Sequence, residues 1–272
     1  MPVITSRESH VRSYEYYFAS GYYDERYPRP NRNVLDTVSA CLPKKGGHVI
    51  DFGCGTGRYL FPFSKRLDQI AGFDISQSAL ERLRENAGNL GNGHNIRILG
   101  PETYSLDQHV EKYGPADVLM SLFGVLSHVE GVETRRELLM WFRRLIKPET
   151  GRIVISVPNR RRRFRKEQKQ QGADRDGILY QRSYNDQEMN FFYRLYDIPS
   201  FCNELTSANL TLESLHAESL IPESWLANSS LLNRLDRMVA PVVPPKWGYG
   251  LLAVVRANPP VAQAEEQWKK IA

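Results

Sequence analysis

The stretch His48–Leu60, HVIDFGCGTGRYL, decides how the rest of the chain is read. An apolar run, His48-Val49-Ile50, closes on Asp51 and Phe52. Gly53-Cys54-Gly55-Thr56-Gly57 comes next, and an amphipathic run begins at Arg58. This is a strand, a tight glycine turn and an expected helix. Glycines alternating with small residues let the backbone pass close to a ligand and supply positive φ where the turn needs it. A helix starting at Arg58 would aim its unpaired N–H groups at the same place. Spacing separates the ligands. A dinucleotide site asks for G-x-G-x-x-G, and a phosphate loop for G-x-x-x-x-G-K-[ST]. Here the run is G-x-G-x-G, with no lysine after it and an acid two residues before it. Asp51 disfavours a phosphate and favours a cationic group. The plainer alternative is a glycine turn that only packs a helix on a strand.

The next apolar run, Gln69–Phe73, ends on Asp74, 23 positions beyond Asp51. That is near the roughly 20 at which a nucleoside-binding fold places its ribose acid. One acid for an amino-acid moiety and one for a ribose, around D-F-G-C-G-T-G, resembles the class I S-adenosylmethionine-dependent methyltransferase superfamily, with a type 11/25-like domain. The resemblance implies S-adenosylmethionine as cofactor, held by Asp51, Gly53, Cys54, Gly55, Thr56, Gly57, Asp74 and Ile75. Family members usually carry Gly-Asp-Ala after the third strand, whose acid bonds the adenine amino group. Here Gly100-Pro101-Glu102-Thr103 puts proline in the acid slot. The resemblance then carries Glu102 and Thr103 as the adenine contacts on a shifted loop; a turn acid is the alternative. The segment SLFGVLSHV from Ser121 resembles the family's segment after the fourth strand. It implies that Ser121, Leu122 and Phe123 line the methionine end. His128 is then the candidate general base, against a packing or capping histidine.

Around this centre, residues 34–158 alternate strand and helix. Helices are expected over Asn33–Leu42, Arg58–Leu67, Gln77–Leu90 and Glu133–Ile146. Strands are expected over Asn95–Leu99, Ala116–Leu122 and Arg152–Val157. This rhythm means an α/β, Rossmann-like, doubly wound and mostly parallel sheet. Gly91-Asn92-Gly93 stops the third of these helices. Ligands of such sheets bind at the carboxyl ends of the strands. The superfamily closes its seven-stranded sheet with an antiparallel hairpin. Thr211–Leu220 and Gly248–Arg256 fit it, with an insertion near Ile221–Trp247 between them.

Residues 1–33 form a tyrosine-rich segment, with Ser13–Ser20 able to make a short helix. The resemblance makes it a lid that brings Tyr22, Tyr23 or Tyr27 near the cofactor; packing on the core is the alternative. Residues 159–200 are a basic and aromatic insertion on the substrate side. Arg160–Lys166 is a charge run that is either a solvated face or a phosphate grip. Tyr22, Tyr23, Tyr180, Arg182, Tyr184 and Tyr193 are candidate acceptor-site residues. Residues 201–257 complete the core, and 258–272 are a tail expected as a loosely held helix. Leu231–Val239 with its proline-rich exit is either a lipid contact or a cover for the core.

The net charge of +5 and a pI of about 9.0 favour an anionic partner only weakly. Cys41, Cys54 and Cys202 lie far apart, which suggests neither a zinc site nor disulfides. No metal is implied. With no apolar leader at the N-terminus, a cytoplasmic setting is expected. Three readings stand. The first is methyl transfer to N or O of a small-molecule acceptor, including an anionic or lipid-linked one. The second is an RNA methyltransferase, since the layout also resembles enzymes that finish modified wobble uridines in tRNA. The third is a non-catalytic S-adenosylmethionine-binding subunit.

Overall fold

Apolar runs become parallel strands: β1 (His48–Phe52), β2 (Gln69–Phe73), β3 (Ile96–Ile98), β4 (Val118–Ser121) and β5 (Arg152–Pro158). The computed structural model describes residues 3–89, 95–172 and 176–258, with side chains from 11 onward. The expected stop at Gly91-Asn92-Gly93 and the expected tail helix after residue 258 lie outside the described residues. Two further strands, β8 (Leu210–Ser219) and β9 (Gly250–Ala257), complete a seven-stranded sheet of order β3-β2-β1-β4-β5-β9-β8. The first five strands are parallel, and β9 is antiparallel to both β5 and β8.

Side chains alternate across the sheet. Val49, Ile70, Val118, Met120 and Val154 pack with α3 (Arg32–Cys41) and α4 (Gln77–Asn89), through Val34, Val38, Leu80 and Leu83. Ile50, Phe73, Leu119, Ile153 and Ile155 pack on the other face. There they meet α5 (Tyr104–Tyr113), α6 (Val132–Leu145) and α8 (Ile198–Ser207), through Leu106, Leu139, Phe142, Phe201 and Leu205. Both faces are covered, so the strands read as nearly continuous apolar runs.

The expected helix Arg58–Leu67 is corrected. Only a 3₁₀ turn, Phe61–Phe63, forms there. Pro62 has no N–H to bond Arg58, and Gly57 enters at φ +90°. The glycine turn also keeps its own donors. Gly53 and Cys54 N–H bond the Phe73 carbonyl, and Gly55 N–H bonds Asp74 Oδ2 at 2.9 Å. So the turn holds the end of β2 in place with its own N–H groups.

Two insertions leave the carboxyl edge. After β5 come α7 (Arg165–Gln171) and a separate hairpin, β6 (Ile178–Tyr184) and β7 (Gln187–Tyr193). The hairpin turns on Asn185 and Asp186 at φ 47° and 61°, residues that tolerate the left-handed region. After β8 come α9 (Glu223–Asn228) and α10 (Ser230–Val239). β8 ends opposite the start of β9, which pairs with the end of β5, so this insertion emerges on the same edge.

Arg135 of α6 ties the hairpin's root to the body. It is fully buried, with Nε 2.6 Å from Glu204 Oε1 and Nη2 2.6 Å from Asp176 Oδ1. Arg135→Ala would leave the buried Glu204 with the Tyr196 hydroxyl and no cation, and is expected to cost about 3–5 kcal/mol in urea unfolding. A loss below about 1 kcal/mol would contradict this role.

Candidate active site

The sheet order reverses between β1 and β4, and Asp51 and Ser121 sit at the carboxyl ends of those two strands. Asp51 is buried and forms no hydrogen bond or ion pair among the described residues. Burial and the neighbouring Asp74 push its carboxyl up to about 8, against a downward pull from Arg58. Asp74 closes β2 and accepts from Gly55 N–H and from Ser76 N–H at 3.0 Å. Burial raises it to about 6 despite those donors. The Ser121 hydroxyl is buried without a partner among the described residues.

The sequence marks Arg58 only as a helix start, yet it is a central group of the site. It is buried within 6 Å of the ring centroids of Tyr23, Tyr27, Tyr59 and Phe123. Nη1 lies 3.3 Å from Glu223 Oε1, while Nε and Nη2 have no acceptor among the described residues. Burial works against its charge, but Tyr23, Tyr59 and Glu223 raise its pKa above the ordinary value. No sequence pattern separates this arginine from a surface one.

The N-terminal segment covers the turn. α1 (Val3–Ala19) and α2 (Tyr22–Arg26) bring Phe18 and Tyr23 against Gly55, whose φ of +53° already excludes most side chains. Two acids clamp them there. The Glu15 carboxylate accepts from Gln77 and Ser78 N–H at 2.7 and 3.0 Å, capping α4. Asp24 accepts from the Thr56 hydroxyl at 2.6 Å and from Arg82 at 2.9 Å. Neither acid stands out in the sequence.

Phe123 takes φ 59°, a costly conformation for a bulky residue. Its N–H donates to Ser156 Oγ at 2.6 Å, and its ring meets Tyr27 at 4.7 Å. Two residues on, the 3₁₀ turn Val125–His128 presents His128. His128 Nδ1 is 2.9 Å from the Phe192 carbonyl oxygen. A carbonyl only accepts, so Nδ1 donates to it, and in the neutral ring the lone pair is on Nε2. Its ring packs with Tyr193 at 4.5 Å and with Tyr14 at 5.3 Å. The Tyr14 hydroxyl is buried and unpartnered.

The remaining sequence candidates divide between core, rim and hairpin. Cys54 turns its thiol into the core, and Leu122 is also core. Gly53 at φ +80° lies against Val125. Ile75, Glu102 and Thr103 are exposed on the rim. Tyr22 stacks on Tyr184 at 4.5 Å, where the Tyr184 hydroxyl meets Glu25 at 3.2 Å. Tyr180 stacks on Phe191 at 5.3 Å beneath the hairpin.

The basic run is divided. Arg163 turns inward, with Nη1 3.3 Å from the Tyr193 hydroxyl and Nε enclosed without a partner. Arg162 donates to the Trp247 and Leu220 carbonyls. Arg161, Arg165 and Lys166 are exposed.

Comparison with known proteins matches this architecture. A family profile described as a methyltransferase domain covers residues 23–215. The CcbJ methyltransferase of Streptomyces caelestis superposes with a TM-score of 0.58 at 17% identity, over 84% of this chain and 95% of that one. A methyltransferase from Clostridium acetobutylicum, described as S-adenosylmethionine-dependent, gives 0.59 at 12%, over 88% and 97%. At these identities the likeness is one of fold. Two curated relatives match short segments. An RNA methyltransferase designated YwfF, from Lactococcus lactis, is 41% identical over 61 residues, 22% of this chain. The 23S rRNA uracil-C5 methyltransferase RlmD of Alkalilimnicola ehrlichii is 34% identical over 74 residues, 26% of this chain. The matches span only 12% and 16% of those relatives' lengths. With the profile spanning the glycine turn and the sheet as far as β8, the chain belongs to the methyltransferase domain family and carries the fold of the class I, S-adenosylmethionine-dependent enzymes.

Proposed function

We propose that the chain transfers the methyl group of S-adenosylmethionine to a nitrogen or oxygen of a small anionic acceptor beneath the β6–β7 hairpin. One observation carries the cofactor assignment. Beside the glycine turn, among the described residues, the buried Asp51 carboxyl forms no hydrogen bond and the buried Arg58 guanidinium has two N–H-bearing nitrogens without an acceptor. An α-amino acid supplies both missing partners, with its ammonium for Asp51 and its carboxylate for Arg58. Asp74, whose oxygens keep spare lone pairs, suits ribose hydroxyls. When bound, S-adenosylmethionine supplies a methyl already activated on a sulfonium. The chain's own part is to hold the acceptor in line, exclude water with the lid, and take the acceptor's proton at His128 Nε2.

Charge selects the acceptor class. Arg26, Arg163 and Arg182 form no ion pair among the described residues. Burial drives Tyr27 upward, yet Arg182, Arg26 and Arg163 bring it below the ordinary tyrosine value. Glu218 offsets them less than an ordinary carboxylate would, because burial and Glu223 push it up to about 8. A carboxylate or phosphate on the acceptor meets this enclosed positive charge.

The test is methyl transfer to matched acceptors, an amino or hydroxy acid against its uncharged amide. The acid is expected to be preferred. Arg182→Gln should raise its KM about tenfold and leave the amide unaffected. Equal rates on both acceptors would overturn the anionic reading. The exposed arginines and the two RNA-methyltransferase relatives favour a second reading, an RNA acceptor. Turnover falling steeply with salt would support that one instead.

A further inference from the structure

α10 is inside out. Its buried side is polar: Asn233 Nδ2 donates to the Pro30 carbonyl at 2.9 Å, and Asp236 Oδ1 accepts from Leu220 N–H at 2.8 Å. Its outward side is apolar, with Leu231 65%, Leu235 50% and Met238 68% exposed. These residues recur at helical spacing and point away from the core, the reverse of an ordinary surface helix. Flanking residues extend the patch: Trp225 at 60%, Val242 at 80% and Trp247 at 56% exposure. An exposed apolar surface of this kind marks an interaction site.

Charge identifies the occupant. Between 225 and 247 the exposed charged residues are Arg234, Arg237 and Lys246, all positive; Arg237 pairs with Asp36. The acid in this stretch, Asp236, is buried. Arg162, also exposed, donates to the Trp247 carbonyl and adds a positive charge beside this face. In a two-fold dimer through this patch, its cations would face their own copies. The described chain ends at Asn258, at the far end of β9, on the opposite edge of the sheet. We infer that this face, the apolar side of α10 with Trp225, Val242 and Trp247, docks on an anionic lipid bilayer. The leucines and tryptophans would enter the headgroup boundary, and the arginines and lysine would meet lipid phosphates. A groove of about 400 Å³ between α2 and α9, lined by Tyr22, Glu25, Arg26 and Trp225 among others, opens beside it. Docking of this face does not depend on which acceptor is methylated.

The experiment is co-sedimentation of the full chain with phosphatidylcholine vesicles, with and without phosphatidylglycerol. Binding is expected only with the anionic lipid, falling as salt rises, and with a blue shift of tryptophan fluorescence. The double variant Leu235→Asp, Met238→Asp should weaken binding at least tenfold at unchanged Tm and unchanged S-adenosylmethionine affinity. Arg234→Glu with Lys246→Glu should also weaken it. Three outcomes would overturn the inference: no sedimentation of the native chain with either vesicle, undiminished binding by the apolar variant, or a dimer dispersed by those substitutions without vesicle binding.

Discussion

Asp51→Asn is expected to weaken S-adenosylmethionine binding by about 30- to 100-fold at pH 8.5, the ~2–3 kcal/mol of a charge-assisted hydrogen bond lost from a buried site. The same variant is expected to be more stable than the native chain. Burial and Asp74 hold the Asp51 carboxyl at about 8 in the fold, whereas in an unfolded chain it ionises near 4. Between those values the native state holds the extra proton, so stability from this group falls as pH rises toward 8. Asparagine removes that cost. Tm should therefore rise at pH 8.5 while affinity drops, the opposition expected of a site strained for function. A residue that only packed the turn would lose both together. Unchanged affinity, or a fall in Tm, would contradict the assignment.

His128→Gln is expected to lower kcat by about 10²- to 10³-fold with the S-adenosylmethionine Kd unchanged. Glutamine can still donate toward the Phe192 carbonyl, so the link between the turn after β4 and β7 has a replacement. It has no lone pair of comparable basicity. The acid limb of the kcat/KM profile should disappear in the variant. Full turnover by His128→Gln would make the histidine a linker between two elements and return proton removal to solvent.

The sheet was legible because its chemistry is redundant. Buried parallel strands read as apolar runs, and Asp51, Asp74 and Ser121 stand where those runs stop. The helix expected after Gly57 shows the limit of periodicity. Leu60, Phe63 and Leu67 have helical spacing and are buried, yet Pro62 breaks the ladder between them. The β6–β7 hairpin did carry a signal, Asn185-Asp186 between alternating residues, obscured by an excess of aromatics. The direction of α10 carried none, since a helical apolar stripe has the same spacing whichever way it faces. Arg58, Arg163, Glu15 and Asp24 matter through partners far away in the chain. Glu15 meets Gln77, and Arg58 meets Glu223. Local sequence cannot supply such pairs.

The most direct test is calorimetric titration of the native chain with S-adenosylmethionine at pH 7, in buffers of different ionisation enthalpy. The difference between buffers counts the protons exchanged. Micromolar binding with release of close to one proton is predicted, because Asp51, held protonated by burial, must ionise to meet the ammonium. Binding with no proton release would move the ammonium away from Asp51. No binding at millimolar cofactor would contradict the cofactor site as a whole.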